Sequence, residues 1–183
     1  MDDEQAVRRL KRGEIDGLEH LMARYQVKAG RVAFLITRDE TIAQDVVQET
    51  FIRIYQRFRQ FDATRPFEPY LIRSVVHAAL NATRRDGQWL SLESDPAGFE
   101  NLLTQAASVE TQVEFAQAQS EIDRALAQLS PRQRAVIVQR YYLELSEKEM
   151  AESLDVAPGT IKWLLNAART RLRRLLRSER SAE

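Results

Sequence analysis

"LSEKEMAESLDVAPGTIKWLLNAARTRLRRLLR", residues 145–177, decides how the chain folds. Ser146 followed three residues later by Glu149 is a capping box, so a helix starts there. The Asp155–Pro158 stretch breaks the pattern, and a second amphipathic segment follows at once. In that segment Ile161, Leu164, Leu165, Ala168, Leu172, Leu175 and Leu176 fall on one face. Gly159, Lys162, Trp163, Asn166, Thr170, Arg173 and Arg177 fall on the other. Two helices joined by a sharp turn, the second strongly cationic, form a shape suited to a polyanion.

Working outward, Ser130-Pro131 marks an earlier helix start, with serine as cap and proline at the first helical position. Upstream, apolar residues recur at helical spacing over 3–12, 14–37, 40–59 and 67–85, and alternating strand patterns are hard to find. The reading is all-α, in two helical blocks. Between them, "DGQWLSLESDPAGFENLLTQAASVE" at 86–110 holds Gly, Pro and Ser, and its charges are all negative (Asp86, Glu93, Asp95, Glu100 and Glu110). No Lys or Arg lies between Arg85 and Arg124. This stretch reads as an acidic linker, with helical order resuming near 111. The linker carries too little apolar surface to weld the blocks, which are therefore expected to behave as separate units.

Composition excludes several function classes. The 183 residues contain no cysteine, so disulfide frameworks and cysteine-zinc sites are out. Lys plus Arg and Asp plus Glu each total 27, so the distribution of charge, not its sum, must speak for nucleic acid. The charged start lacks the apolar core of a secretory signal, and no apolar run approaches the ~20 residues of a membrane span. The expectation is a cytoplasmic chain with no membrane contact. His77 and His20 are the two histidines, and no Glu-x-x-His pair accompanies them, so no metal site is expected. Convergent carboxylates and a phosphate-binding glycine loop are also missing, which argues against an enzyme, a cofactor or a small-molecule substrate.

Two faces of the first block ask for partners. In "TIAQDVVQETFIRIYQRF" (41–58), Ala43, Val47, Phe51, Ile54, Tyr55 and Phe58 are expected in the core. Asp45, Gln48, Glu49 and Gln56 lie opposite with Ile52, a face that suits either solvent or a protein offering arginines. In "PYLIRSVVHAALNATRR" (69–85), Leu71, Val75, Ala78, Ala79 and Ala82 form the buried stripe. Tyr70, Arg73, His77, Asn81 and Arg84 line the other side at spacings of three, four, four and three. A ring to stack on, guanidiniums for phosphates and an amide for base edges are the chemistry of single-stranded nucleic acid. "FDATRPF" (61–67) adds Phe61, Arg65 and Phe67. In the second block, helix, short turn and basic helix are the helix-turn-helix layout.

"LSPRQRAVIVQRYYLELSEKEMAESLDVAPGTIKWLL" (129–165) closely resembles region 4 of the extracytoplasmic-function (ECF, group IV) sigma factors of bacterial RNA polymerase. "AQDVVQETFIRIYQRFRQFDATRPFEPYLIR" (43–73) resembles their region 2, with its D-x-x-Q-E-x-F centre. The resemblance implies a region 2 bundle over 1–86, a linker over 87–110 and a region 4 helix-turn-helix over 111–183. It implies docking on core RNA polymerase through Asp45, Gln48 and Glu49. It assigns minus-ten promoter DNA to Phe61, Arg65, Phe67, Tyr70, Arg73, His77, Asn81 and Arg84. Minus-35 DNA falls to Thr160, Lys162, Trp163, Asn166, Thr170, Arg173 and Arg177. An anti-sigma factor is a frequent partner in the family. The alternative is a helix-turn-helix transcription regulator that is no polymerase subunit.

The chain departs from the family pattern at several points. Tyr70 stands where tryptophan is usual, His77 where asparagine is common, and Ala157 where a serine could cap the recognition helix. Trp163, Leu164 and Ala167 stand where the family often has Ser-Arg-Leu and a later Arg-Ala, which leaves fewer cations for minus-35 contacts.

Overall fold

A computed structural model describes residues 1–85 and 122–180, except for the side chains of 85 and 177–180. The 87–110 linker and the stretch up to 121 lie outside the described residues. Helices α1 (Asp3–Lys11), α2 (Asp16–Thr37), α3 (Glu40–Arg57) and α4 (Phe67–Arg85) build the first block, with a 3-10 turn at Phe58–Gln60. Residues 122–127 are helical and lead to α5 (Pro131–Ile137), which widens into a π-helical turn at Val138–Tyr142. Then come α6 (Glu147–Leu154) and α7 (Pro158–Arg180). No strand occurs among the described residues, and no helix there is long and apolar enough to cross a membrane.

Local chemistry explains the boundaries. Asp2 and Gln5 cap α1 reciprocally, and the Asp39 carboxylate accepts from the Ile42 N–H at 2.8 Å to start α3. Ser130 caps α5 with Gln133 as its partner and Pro131 behind it, and Ser146 caps α6 with Glu149, as their spacing predicts. α2 and α6 each stop on a left-handed residue, Arg38 (φ 60°) and Asp155 (φ 54°). Their N–H groups return to Phe34 and Ala151, satisfying carbonyls that the helix end orphans.

In the first block α1 lies so close to α2 that a Cβ at Gly17 would meet the Ala6 carbonyl oxygen at 2.4 Å. The Tyr25 hydroxyl also ties the two helices by donating to Asp3, and burial, then that bond, pushes its pKa up to about 12. Leu21, Val32, Ile36, Phe51, Ile54, Phe67, Leu71 and Val75 form the centre of the core. On α3 the buried stripe runs Ala43, Val46, Thr50, Phe51, Ile54 and Phe58. Tyr55, expected inside, is 42% exposed, because the arc facing α2 and α4 is centred nearer Val46 and Thr50. A second core gathers Leu129, Val136, Met150, Ile161, Leu165 and Ala168.

The blocks are not held by the linker alone. Ala135 and Val138 of α5 and its π turn are buried in the core of the first block. The Arg134 Nε–H donates to the Ile36 carbonyl oxygen at 2.7 Å, and Arg38 pairs with Asp123 at 2.9 Å. Ala135 and Val138 thus bring apolar area of the second block against the first.

Candidate nucleic-acid interface

The exposed row on α4 runs from Tyr70 to Arg84, 14 residues or ~21 Å at helical rise. Tyr70, Arg73, Asn81 and Arg84 are exposed and His77 is half-buried. The Tyr70 ring leans on Phe61 with centroids 4.8 Å apart, and Phe67 lies 6.5 Å away. Phe61 and Phe67 themselves, candidates for base stacking by sequence, are 7% and 2% exposed. They belong to an aromatic cluster with Tyr25 and Phe58 that backs the Tyr70 platform, so neither ring is free to stack on a base. The F-x5-F spacing could not separate a surface pair from a buried one.

Arg65 stands exposed on the turn before α4. The Asp62 carboxylate accepts from the Thr64 N–H (3.0 Å) and hydroxyl (2.7 Å), and those bonds hold its pKa below the usual carboxylate range. Arg65 donates its N–H to the Asp62 carbonyl oxygen at 3.0 Å and keeps its guanidinium 3.5 Å from the carboxylate. The turn thus presents one exposed cation just before α4. Farther along, the His77 Nε2–H donates to the Ser153 main-chain carbonyl oxygen of α6. A carbonyl can only accept, so that nitrogen carries the proton.

On α3, Asp45, Gln48 and Glu49 are exposed, as expected. Beside them stand Ile52 (49% exposed) and Tyr55 (42% exposed), one turn on. Sequence reasoning missed Tyr55 because it assigned the ring to the core. Acids and amides around two exposed apolar side chains suit a protein surface with arginines set in an apolar rim.

α6 and α7 form the helix-turn-helix, locked where Met150 and Ala151 pack with Ile161 and Leu165. Thr160, Lys162, Trp163, Asn166, Thr170 and Arg173 are all exposed on α7, and Trp163 is 68% exposed. The backbone of Arg177 continues the helix, but its side chain lies outside the described residues. Arg169, between the two faces, donates from Nε to the Tyr141 hydroxyl at 2.9 Å and lies over that ring. Among the described residues no group of three or more His, Cys, Asp or Glu converges as metal ligands would.

Residues 21–89 match the family model for sigma-70 region 2, and residues 119–172 match that for sigma-70 region 4. The chain is 34% identical over 146 residues to the ECF RNA polymerase sigma factor SigL of Mycobacterium tuberculosis, covering 78% of this chain and 79% of SigL. It is 28% identical over 177 residues to the ECF RNA polymerase sigma factor SigW of Bacillus subtilis, covering 93% and 95%. Among solved structures, the sigma factor RpoE in complex with the anti-sigma factor NepR from Bartonella quintana shares the fold. Its TM-score is 0.64 at 21% identity, over 87% of this chain and 96% of that one.

Proposed function

The chain belongs to the ECF sigma factors of the sigma-70 family, and from that membership we propose how its faces divide the work of promoter recognition. As a sigma factor it binds core RNA polymerase and directs it to promoters. Region 2, over 1–86, docks on polymerase through Asp45, Gln48 and Glu49, with Ile52 and Tyr55 supplying apolar area beside them. Reversing charge at such a desolvated contact costs a few kcal/mol.

The α4 row then captures the opened minus-ten strand. Tyr70 offers the ring on which a base stacks, worth about 1–3 kcal/mol per base. Arg65, Arg73 and Arg84 hold phosphates, while Asn81 and His77 reach base edges. Region 4, over 111–183, sets the N-terminal half of α7 into the major groove of the minus-35 element. There Asn166 is the outward residue best suited to a bidentate adenine contact, Lys162 serves a phosphate or guanine, and Thr160, Thr170, Arg173 and Arg177 secure the backbone. The acidic 87–110 linker follows a basic path through polymerase. The reading includes an anti-sigma factor as partner, a cytoplasmic site of action, and no catalysis by this chain.

The observation that supports this most is the pairing, in one chain, of the Tyr70–Arg84 row with an exposed basic recognition helix. A helix-turn-helix regulator acting apart from polymerase needs the second feature but not the first. Transcription in vitro with core polymerase and a genomic fragment library tests the reading. It should yield discrete start points that depend on the chain, and their absence would refute it.

A further inference from the structure

Trp163 is the most exposed large apolar side chain among the described residues. It belongs to neither core, and among the described residues it makes no hydrogen bond or ring contact. An indole left in water contributes nothing to folding, so the reason for it lies outside the chain. It stands five residues after Pro158, the start of α7, or ~7.5 Å along the axis. Lys162 and Asn166 flank it, both exposed.

Gly159, four residues earlier, lies one turn back on the same face. A Cβ at Gly159 would meet nothing within 4 Å, the Trp163 ring included. Its backbone is ordinary helix, since the positive-φ glycine among the described residues is Gly13. Neither backbone conformation nor packing within the chain calls for glycine here, and alanine is the better helix former. The missing side chain leaves a notch on the N-terminal side of the indole, the side toward which helical side chains tilt.

The major groove narrows what a ring beside a notch can meet. Its floor offers hydrogen-bonding edges on every base pair and a single kind of apolar group, the C5 methyl of thymine. Base faces are stacked out of reach, and an uncharged ring is a poor holder of phosphate. A polar base edge pressed on the ring would lose water without gaining a partner, whereas a methyl has no such loss.

We propose that Trp163 is a specificity-determining residue, its ring and the Gly159 notch together holding the C5 methyl of one thymine in the minus-35 element. This rests on reading α7 as the helix that enters that groove, and the test separates the two claims. Deoxyuridine keeps every hydrogen-bonding group of thymine and lacks only the methyl. Holoenzyme reconstituted from the full-length chain and core polymerase first selects its minus-35 sequence. The selected promoter duplex is then remade with deoxyuridine at each thymine of that element in turn, on either strand.

At one position the exchange should weaken binding about fourfold, as for burial of one methylene-sized group. Trp163→Ala should bind the thymine and deoxyuridine duplexes alike, and Trp163→Phe, which retains a ring, should keep most of the difference. Gly159→Ala should also erase the difference, and because alanine favours the helix, that loss cannot come from a weakened α7. A selected element without thymine, or a wild-type chain indifferent to every exchange, overturns the proposal. So does a difference that survives either alanine substitution. If Trp163→Ala lowers affinity for core polymerase and leaves the difference intact, the indole is a protein contact and the proposal fails. In all these cases a selected sequence leaves α7 as the reader of the minus-35 element. Absence of any sequence preference there refutes that reading together with the proposal.

Discussion

Phe67 and Tyr70 stand three residues apart on α4, and the structure buries the first and leaves the second partly exposed. Phe67 is 2% exposed, with ring centroids of Tyr25, Phe58, Phe61 and Tyr70 between 6.0 and 6.5 Å away. Truncating such a ring to alanine costs about 3–5 kcal/mol, much of a typical domain's stability. Phe67→Leu retains most of the volume and loses chiefly the ring contacts, so about 1–2 kcal/mol is expected. Tyr70 is 36% exposed, with one side on Phe61. Tyr70→Leu should therefore cost under about 1 kcal/mol of folding stability. Loss of its stacking should weaken strand capture by about 1–3 kcal/mol, or ~5-fold to ~150-fold. Urea unfolding of the chain gives the first quantity. Permanganate reactivity of promoter thymines in complexes formed by the reconstituted holoenzyme gives the second. Phe67→Leu should move the unfolding midpoint and leave opening nearly intact, and Tyr70→Leu should do the reverse. If Phe67→Leu abolished opening at unchanged stability, Phe67 would be a stacking residue and the buried aromatic platform would be wrong.

Glu49→Lys should lose core polymerase affinity by a few kcal/mol while keeping its helical circular dichroism; unchanged affinity in a pull-down titration would move the docking face elsewhere. Asn166→Ala should relax preference at one minus-35 position, by about 1–3 kcal/mol of discrimination, in a binding-site selection. Arg173→Ala should weaken all sites alike and flatten the salt dependence by about one phosphate. Gly17→Ala should destabilise the first block by at least about 1–3 kcal/mol in thermal unfolding, because its methyl has no room against the Ala6 carbonyl. Ser146→Ala should cost about 1 kcal/mol at pH 7 through the lost cap. Hydrogen bonds from the Ser146 hydroxyl and N–H lower the Glu149 pKa, so that contribution is present above the ordinary glutamate range and lost as pH falls through it. The gap in unfolding midpoint between wild type and variant should therefore narrow as pH falls below the ordinary glutamate range.

Helix starts were readable because their causes are local: Ser130 with Gln133 and Ser146 with Glu149 each act within one turn. The exposed face of α7 followed from periodicity for the same reason. Tyr55 was misplaced because α3 has more apolar positions than its buried arc holds, and only the packing of α2 and α4 chooses among them. Phe61 and Phe67 read as stacking rings in sequence because aromatic residues beside arginines look alike there whether they are exposed or back an exposed neighbour. The seam between blocks was not legible at all. Arg134 reads as another surface arginine in an "RQR" run, and its partner Ile36 lies 98 residues away.

Those separations also set an order in time. His77 and Ser153 are 76 residues apart, and ribosomes add about 5–20 residues per second. The first block, complete at Arg85, is therefore synthesised about 3–14 s before the carbonyl that accepts from His77 exists. Its core is mostly local and helical, and such bundles fold in microseconds to milliseconds, so α4 is formed well within that interval. Every newborn molecule thus passes through a stage in which α4 is complete and the Ser153 carbonyl oxygen that accepts from His77 has yet to be made.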